Sequence, residues 1–421
     1  MNFDFNTTLD YAVQQDDADI LSGFKSQFYY PQHHGRNAIY FCGNSLGLQP
    51  KTVEKAIQIE LNTWRDLAVG GYFGGTNPWL YYHDLLTPSL SKLIGANSRE
   101  ITVTNTLTVN LHLMLLSFYN PSTTRFKIIM EAGAFPSDQY AVETIVKHWG
   151  LDPAVAIIEI APLKDEKILH TSSIISVIEE HGSSVALVLL GGMNYYTGQL
   201  YDLQKISSVA HQIGAICGFD LAHVVGNIPI ELHQWNIDFA VWCSYKYLNA
   251  GPGAVGGIFV HEKWSSNSDT PRLGGWWGND EKTRFKMEKG FHAKADASGW
   301  NISTTPVFNM IGLKASLEFF DQAGMANIRK KSIRLTAYLE FLLQQVPNLQ
   351  FEIITPASVE ERGAQLSLYF KENGRAIHDK MQENGIIVDY REPGVIRVAP
   401  APLYCSFQDV YQFYSILREH F

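Results

Sequence analysis

Ala215-Ile-Cys-Gly-Phe-Asp220 and Phe239-Ala-Val-Trp-Cys243-Ser-Tyr-Lys246 decide the fold of this chain. Both are short apolar runs without the in–out alternation of a strand with one wet face, so each predicts a strand buried on both sides. The same texture repeats outward from this pair. Residues 185–190, 155–160, 127–131 and 101–104 read as strands on the N-terminal side, and 255–260 on the C-terminal side. Between them 108–118, 137–148, 171–180 and 203–213 carry helical spacing, the last with Asp202 as N-cap and Gly214 beyond its end. Strands alternating with helices predict an α/β fold, a largely parallel seven-stranded sheet with helices on both faces.

The flanks differ. After Pro50, residues 51–67 place Val53, Ile57, Leu61, Trp64 and Leu67 at helical spacing, an amphipathic helix. Beyond about residue 310 long helices take over. Residues 325–346 form one, 365–370 and 396–398 are strands, and Ser406 with Asp409 resembles a capping box opening a last helix that carries Val410, Phe413 and Leu417. The expected division is a segment 1–50 packing with the small domain, a large domain 51–310, and a smaller α+β domain 311–421.

The 421 residues are 46% hydrophobic, 12% aromatic and 18% charged, which excludes disorder, collagen and low-complexity scaffolds. With 33 Lys and Arg against 42 Asp and Glu, the net charge of −9 gives no electrostatic reason to bind nucleic acid or an anionic membrane. Cys42, Cys217, Cys243 and Cys405 are scattered, neither a disulfide framework nor a zinc site. The N-terminus lacks the basic and apolar regions of a signal peptide, and no apolar run approaches the ~20 residues of a membrane span. A soluble, cytoplasmic protein without metal is expected.

In open α/β sheets ligands sit beyond the carboxyl ends of strands. Three strand ends here carry reactive groups: Asp220 with His223; Ser244-Tyr245-Lys246; and Asn105-Thr106-Leu107-Thr108 entering a helix. Taken singly each has a plain explanation, as a turn aspartate, a solvated lysine or a helix cap. Together they match pyridoxal 5′-phosphate, which needs an amine for a Schiff base, a carboxylate against its ring nitrogen, and a donor-rich helix N-terminus for its phosphate. Gly251-Pro-Gly-Ala-Val-Gly256 matches the G-x-G-x-x-G dinucleotide pattern, but it runs into a strand rather than opening a helix. Its glycines are read as letting the lysine loop turn tightly.

Gly218-Phe-Asp-Leu-Ala-His-Val-Val-Gly-Asn227 and Trp242-Cys-Ser-Tyr-Lys-Tyr-Leu-Asn-Ala-Gly251 resemble the kynureninase family. So do Tyr40-Phe-Cys-Gly-Asn-Ser-Leu-Gly-Leu-Gln-Pro50, Leu107-Thr-Val-Asn-Leu-His112, Ala134-Phe-Pro-Ser-Asp138, Tyr196-Thr-Gly-Gln199 and Ile396-Arg-Val-Ala-Pro400, in family order along nearly the whole chain. The resemblance implies a homodimeric pyridoxal-phosphate enzyme of the aspartate-aminotransferase fold. Such enzymes cleave L-kynurenine or 3-hydroxykynurenine to an anthranilate and L-alanine in tryptophan breakdown. By matching motif, Lys246 carries the cofactor, Asp220 pairs with its ring nitrogen, and Tyr245 is the nearest acid for the alanine carbon. Leu107, Thr108, Tyr245 and Trp276 (from the partner subunit) hold the phosphate. Phe135 stacks on the ring, while Pro136, Ser137, Asp138, Gly191, His223 and Thr304 complete the cofactor's surroundings. Arg397 holds the substrate α-carboxylate in a fork-to-carboxylate match, with Ser45, Tyr72 and Thr304 around the substrate.

Two departures stand out. Gly191 occupies a position where some relatives have a hydroxyl. Tyr72 and Thr304 replace a His and an Asn that animal relatives present to the substrate's ring hydroxyl, which points toward unsubstituted kynurenine. Rival readings are a cysteine desulfurase, which needs a mobile nucleophilic thiol, an aminotransferase, or a non-catalytic relative that has lost Lys246, Asp220 or Arg397.

Overall fold

The computed structural model describes residues 3–421. Its centre is a seven-stranded sheet: β1 Ile101–Thr104, β2 Lys127–Glu131, β3 Ile157–Ile160, β4 Val185–Gly191, β5 Ile216–Asp220, β6 Phe239–Cys243 and β7 Gly256–Val260. The order across the sheet is β1-β7-β6-β5-β4-β2-β3. Neighbours from β6 to β3 run parallel, while β7 is antiparallel to both β6 and β1. Strands β4 to β7 are buried along almost their whole length, as unbroken apolar runs require. Strand β3 starts two residues later than the apolar run 155–160, because Asp152 and Pro153 open a short helical turn that takes in Val155 and Ala156.

Helices cover the sheet. The chain's helices of nine residues or more are, in order, α1 Leu9–Asp17, α2 Thr52–Leu67, α3 Leu107–Phe118, α4 Pro136–His148, α5 Thr171–His181, α6 Leu203–Gln212, α7 Val307–Ala323, α8 Met325–Leu343, α9 Gly374–Glu383 and α10 Phe407–His420. Asp202 caps α6 by accepting from Lys205 N, and Ser406 with Asp409 forms the capping box of α10. A second sheet of β8 Glu352–Ile353, β9 Leu366–Tyr369, β10 Asp389–Arg391 and β11 Val395–Val398, ordered β8-β9-β11-β10, is antiparallel throughout. The N-terminal segment fastens to this C-terminal part: Asp16 accepts from Phe407 N at 2.7 Å, Lys25 pairs with Asp409 at 2.7 Å, and Ile39 lies beside Ile386 in a parallel bridge.

The change of texture near residue 310 falls inside α7, a continuous helix packed on α2. The apolar stripe of α2 faces outward. Ile57, Leu61, Trp64 and Leu67 are exposed, Trp64 by 59%, while the inward face carries Glu60 and Thr63. Glu60 is satisfied there by Asn77 Nδ2 at 2.7 Å and Trp79 Nε1 at 2.8 Å. Among the described residues no helix is long and apolar enough to cross a membrane.

Candidate active site

Parallel register brings three acidic or neutral strand ends side by side. Gly191 at the end of β4 is the direct neighbour of Asp220 at the end of β5, and Glu131 ends β2 on the far side of β4. Three residues beyond β6, Lys246 turns back over the same edge. These groups line one cleft of about 530 Å³, part of it open to solvent, together with Leu107, Thr108, Phe135, Ser137, Asp138, Met193, Tyr195, Ala222, His223 and Tyr245.

Burial sets the protonation states. Lys246 Nζ lies 2.9 Å from His223 Nε2. Burial, then the Lys246 charge, hold His223 well below its usual range, so the ring is neutral and accepts from the ammonium. Asp220 is buried and accepts from Ala222 N at 2.7 Å. Burial raises its carboxyl, and Lys246 pulls it back down. Asp138 is pushed well above the usual range, by burial and then by the charge of Asp220. The two buried carboxyls thus disfavour charge on one another, and Lys246 counters this at Asp220.

The mouth is donor-rich. The N-caps of α3 and α4, Thr106 and Phe135, make no side-chain capping bond, which leaves the amides of Leu107 and Thr108 in α3 and of Ser137 in α4 without a side-chain cap, Pro136 having no N–H. Thr108 Oγ1 and Ser137 Oγ sit 2.7 Å apart and tie the two helix starts together. Such a place suits a dianion. Inside, Asp138 Oδ1 and His223 Nδ1 are buried polar atoms without a hydrogen-bond partner among the described residues, as expected of a wall built for a polar occupant. Phe135 covers the lysine, its ring centroid 5.8 Å from Nζ, and meets Tyr195 edge-on at 5.3 Å. The residues present fit pyridoxal phosphate.

Arg397, on β11, is buried and points toward the cleft through Tyr195, whose carbonyl accepts from Nη1 at 2.8 Å. Its Nε and Nη2 edge faces Asp389 at 3.0 and 2.8 Å, and Nη2 also reaches Ser45 Oγ at 3.0 Å. The two-pronged edge that a substrate carboxylate was expected to take is thus engaged by Asp389. What remains is the second hydrogen of Nη1; Ser45 lies on the Nη2 side, and its hydroxyl donates to Asp389 Oδ2 at 2.5 Å.

Ser45, Tyr72, Trp276, Thr304 and Arg397 do not line this cleft, nor does Pro136, the first residue of α4. Tyr72 packs edge-on against Trp79 at 5.6 Å in an outer groove with Trp64 and Phe308, and Trp276 is 48% exposed. The glycine-rich loop behaves as its pattern implied: Gly251 and Gly253 have φ of +86° and +75°, and the loop enters β7, not a helix.

Glu131, Met193 and Tyr195 were not singled out from the sequence. Glu131 was findable, because it ends a strand just as Asp220 does. Its Oε2 accepts from Gly191 N at 3.0 Å, and a Cβ at position 191 would lie 2.9 Å from its Oε1, so the glycine makes room for this carboxyl. The Gly191 amide is therefore already engaged.

Comparisons with known proteins agree with this geometry. A family model described as the kynureninase C-terminal domain matches residues 328–417. The kynureninase of Myxococcus xanthus is 51% identical over 417 residues, 99% of this chain and 98% of that protein. Among solved structures, the apo cysteine desulfurase of Thermococcus onnurineus NA1 superposes with a TM-score of 0.75 at 19% identity, covering 91% of this chain and 94% of its own. A C-DES variant with glycine covalently linked to its PLP cofactor does so at 0.75 and 19%, covering 90% and 96%. At that identity the structures speak for the fold alone, the type-I fold of pyridoxal-phosphate enzymes, whereas half the residues shared along the full length speak for descent: this chain belongs to the kynureninase family.

Proposed function

We propose that the chain is a pyridoxal-phosphate-dependent hydrolase that cleaves the Cβ–Cγ bond of L-kynurenine, giving anthranilate and L-alanine, and that the cleft around Lys246 is where it does so. The observation that carries this reading is the opposition of Lys246 to Asp220 across neighbouring strand ends, with two uncapped helix starts at the mouth. Bound there, the cofactor supplies an electron-accepting ring that stabilises negative charge on substrate carbon.

The chain's own groups do the rest. Lys246 is the amine that holds the cofactor aldehyde and, once released, the base for the substrate's α-proton. Neutral His223 accepts a hydrogen bond from Nζ and orients it. Asp220, buried and accepting from Ala222 N, would be the carboxylate that holds a proton on the cofactor's ring nitrogen. Leu107 N, Thr108 and Ser137 receive the phosphate at the helix starts. Arg397 Nη1 takes the α-carboxylate, with Ser45 and Asp389 fixing the guanidinium from its other edge. Burial, and after it Cys243, push the Tyr245 hydroxyl upward, so it stays protonated at neutral pH and has a proton to give to the alanine carbon.

The same fold serves cysteine desulfurases, but no thiol lines this cleft. Cys42 is pushed up to about 11 by burial, and Cys405 is fully buried. An activated, mobile nucleophile is not offered.

A homodimer with shared sites accounts for the residues outside the cleft. Tyr72, Trp276 and Thr304 reach a cofactor site if they reach a partner's. The exposed stripe of Ile57, Leu61, Trp64 and Leu67 supports this reading. Covering each side chain is worth roughly 1.5–3 kcal/mol, of the same order in sum as an association cost of about 4–15 kcal/mol. Trp64→Glu is expected to convert a dimer in analytical ultracentrifugation to monomer and lower activity with it.

The decisive experiment mixes the cofactor-loaded enzyme with L-kynurenine and follows anthranilate fluorescence. Steady release with equimolar alanine supports the assignment. No release, with cofactor demonstrably bound, overturns it.

A further inference from the structure

Glu131 is a buried acid in the cleft for which the reaction above has no use. It is 4% exposed and comes from β2, two strands away from Asp220. Its carboxyl spans the gap by using the space that Gly191 leaves empty: both oxygens face Gly191 N, at 3.0 and 3.3 Å. Among the described residues no cation pairs with it. The groups that face it are Asp220 from β5, Asp138 from α4 and the Tyr201 phenol from the segment after β4, and Lys246 and His223 line the same cleft. Three carboxyls thus share one buried space with one lysine.

We propose that Glu131 is a positioning residue of the cofactor site: held across β4 by the Gly191 amide, it is the third carboxyl of a cluster with Asp138 and Asp220, and its charge sets how firmly the cleft keeps positive charge at Lys246 Nζ. The inference rests on pyridoxal phosphate occupying the cleft.

The geometry gives the direction. Glu131 lies in the same buried space as Asp138 and Asp220, so ionising it adds one negative charge to that space. Burial raises the Glu131 carboxyl to about 7 against the Gly191 amide, which lowers it, and Asp220 adds to the rise. Below that point the amide is bound by a neutral acid. Above it the cluster carries one more negative charge to hold positive charge at Lys246 Nζ. The protein thereby adds stabilising charge as the pH moves toward the range in which the nitrogen would lose its proton.

Glu131→Gln keeps an acceptor for Gly191 N and removes the charge. The bound cofactor's visible absorbance, titrated with pH in holoenzyme, reports the proton at Nζ independently of turnover. In E131Q the alkaline transition is expected to move down by about half a pH unit or more, as loss of one partly screened neighbouring charge requires. An unmoved transition overturns the role of Glu131, and a purely structural role predicts that outcome. Should E131Q not give folded holoenzyme, infrared spectra of the wild-type enzyme decide. A buried protonated-carboxyl band that vanishes between about pH 6 and pH 8 supports the proposal, and a spectrum constant over that range overturns it. A wild-type protein that shows no cofactor absorbance at all refutes the occupant of the cleft instead, so the two failures are distinct.

Discussion

Lys246 Nζ lies 2.9 Å from His223 Nε2, on a ring that burial keeps neutral. The amine thus has an acceptor that does not compete with it for charge, while Asp220 and its carboxyl neighbours supply negative charge in the same cleft. This arrangement makes the lysine both a covalent anchor and a base.

Lys246→Ala is therefore expected to abolish the visible absorbance of the bound cofactor and to cut kcat by about 10³-fold or more. Spectra of the purified variant, with stopped assays for anthranilate, check this. Retained colour after gel filtration would place the anchor elsewhere.

Arg397 shares its guanidinium between Asp389, Ser45 and the Tyr195 carbonyl. Lysine cannot serve these directions and the substrate at once. For Arg397→Lys, KM for kynurenine should rise about tenfold or more while kcat changes less, because a carboxylate grip acts on bound substrate and transition state alike. Steady-state kinetics separates the two. A fall in kcat at constant KM would count against the assignment.

Asp238 illustrates how stability depends on pH away from the cleft. Burial would raise this carboxyl, but His211 at 2.8 Å, Lys263 and the Cys217 amide outweigh it and hold it below its usual value. A depressed folded pKa means stability that is present above the ordinary value of about 3.9 and is lost as pH falls through the folded one. Asp238→Asn should cost about 3 kcal/mol at neutral pH. Denaturant midpoints should show a constant gap from about pH 7 to pH 5 that narrows below about pH 4.

Tyr72 and Thr304 carry the expectation for substrate choice. The wild-type enzyme should favour kynurenine over its 3-hydroxy form in kcat/KM. The double variant Tyr72→His with Thr304→Asn should move that ratio toward the hydroxylated substrate by about tenfold. Paired assays on both substrates test this, and an unchanged ratio would remove these two positions from the aryl site.

The sheet was legible because its strands are continuous apolar runs, and strands buried on both faces have no other composition available to them. Phe239–Cys243 and Ile101–Thr104 were readable to the residue. The long helix α7 was not: its buried positions are spread around the cylinder instead of forming one stripe, so spacing alone marked neither its start nor its passage across residue 310. The stripe on α2 was visible but its direction was not, because a periodicity states that two faces differ and leaves open which one meets the protein.

The sequence by itself determined which side chains end the central strands, Asp220 and, just past β6, Lys246, and hence that an acid and an amine are available at one edge of a parallel sheet. Only the tertiary structure decided their company. The parallel register set Gly191 beside Asp220, and the missing Cβ there admitted Glu131 from two strands away. The folding of β11 against β10 gave Arg397 to Asp389. Those contacts join residues far apart in the chain, and their consequences for charge come from burial, which no local pattern of residues encodes.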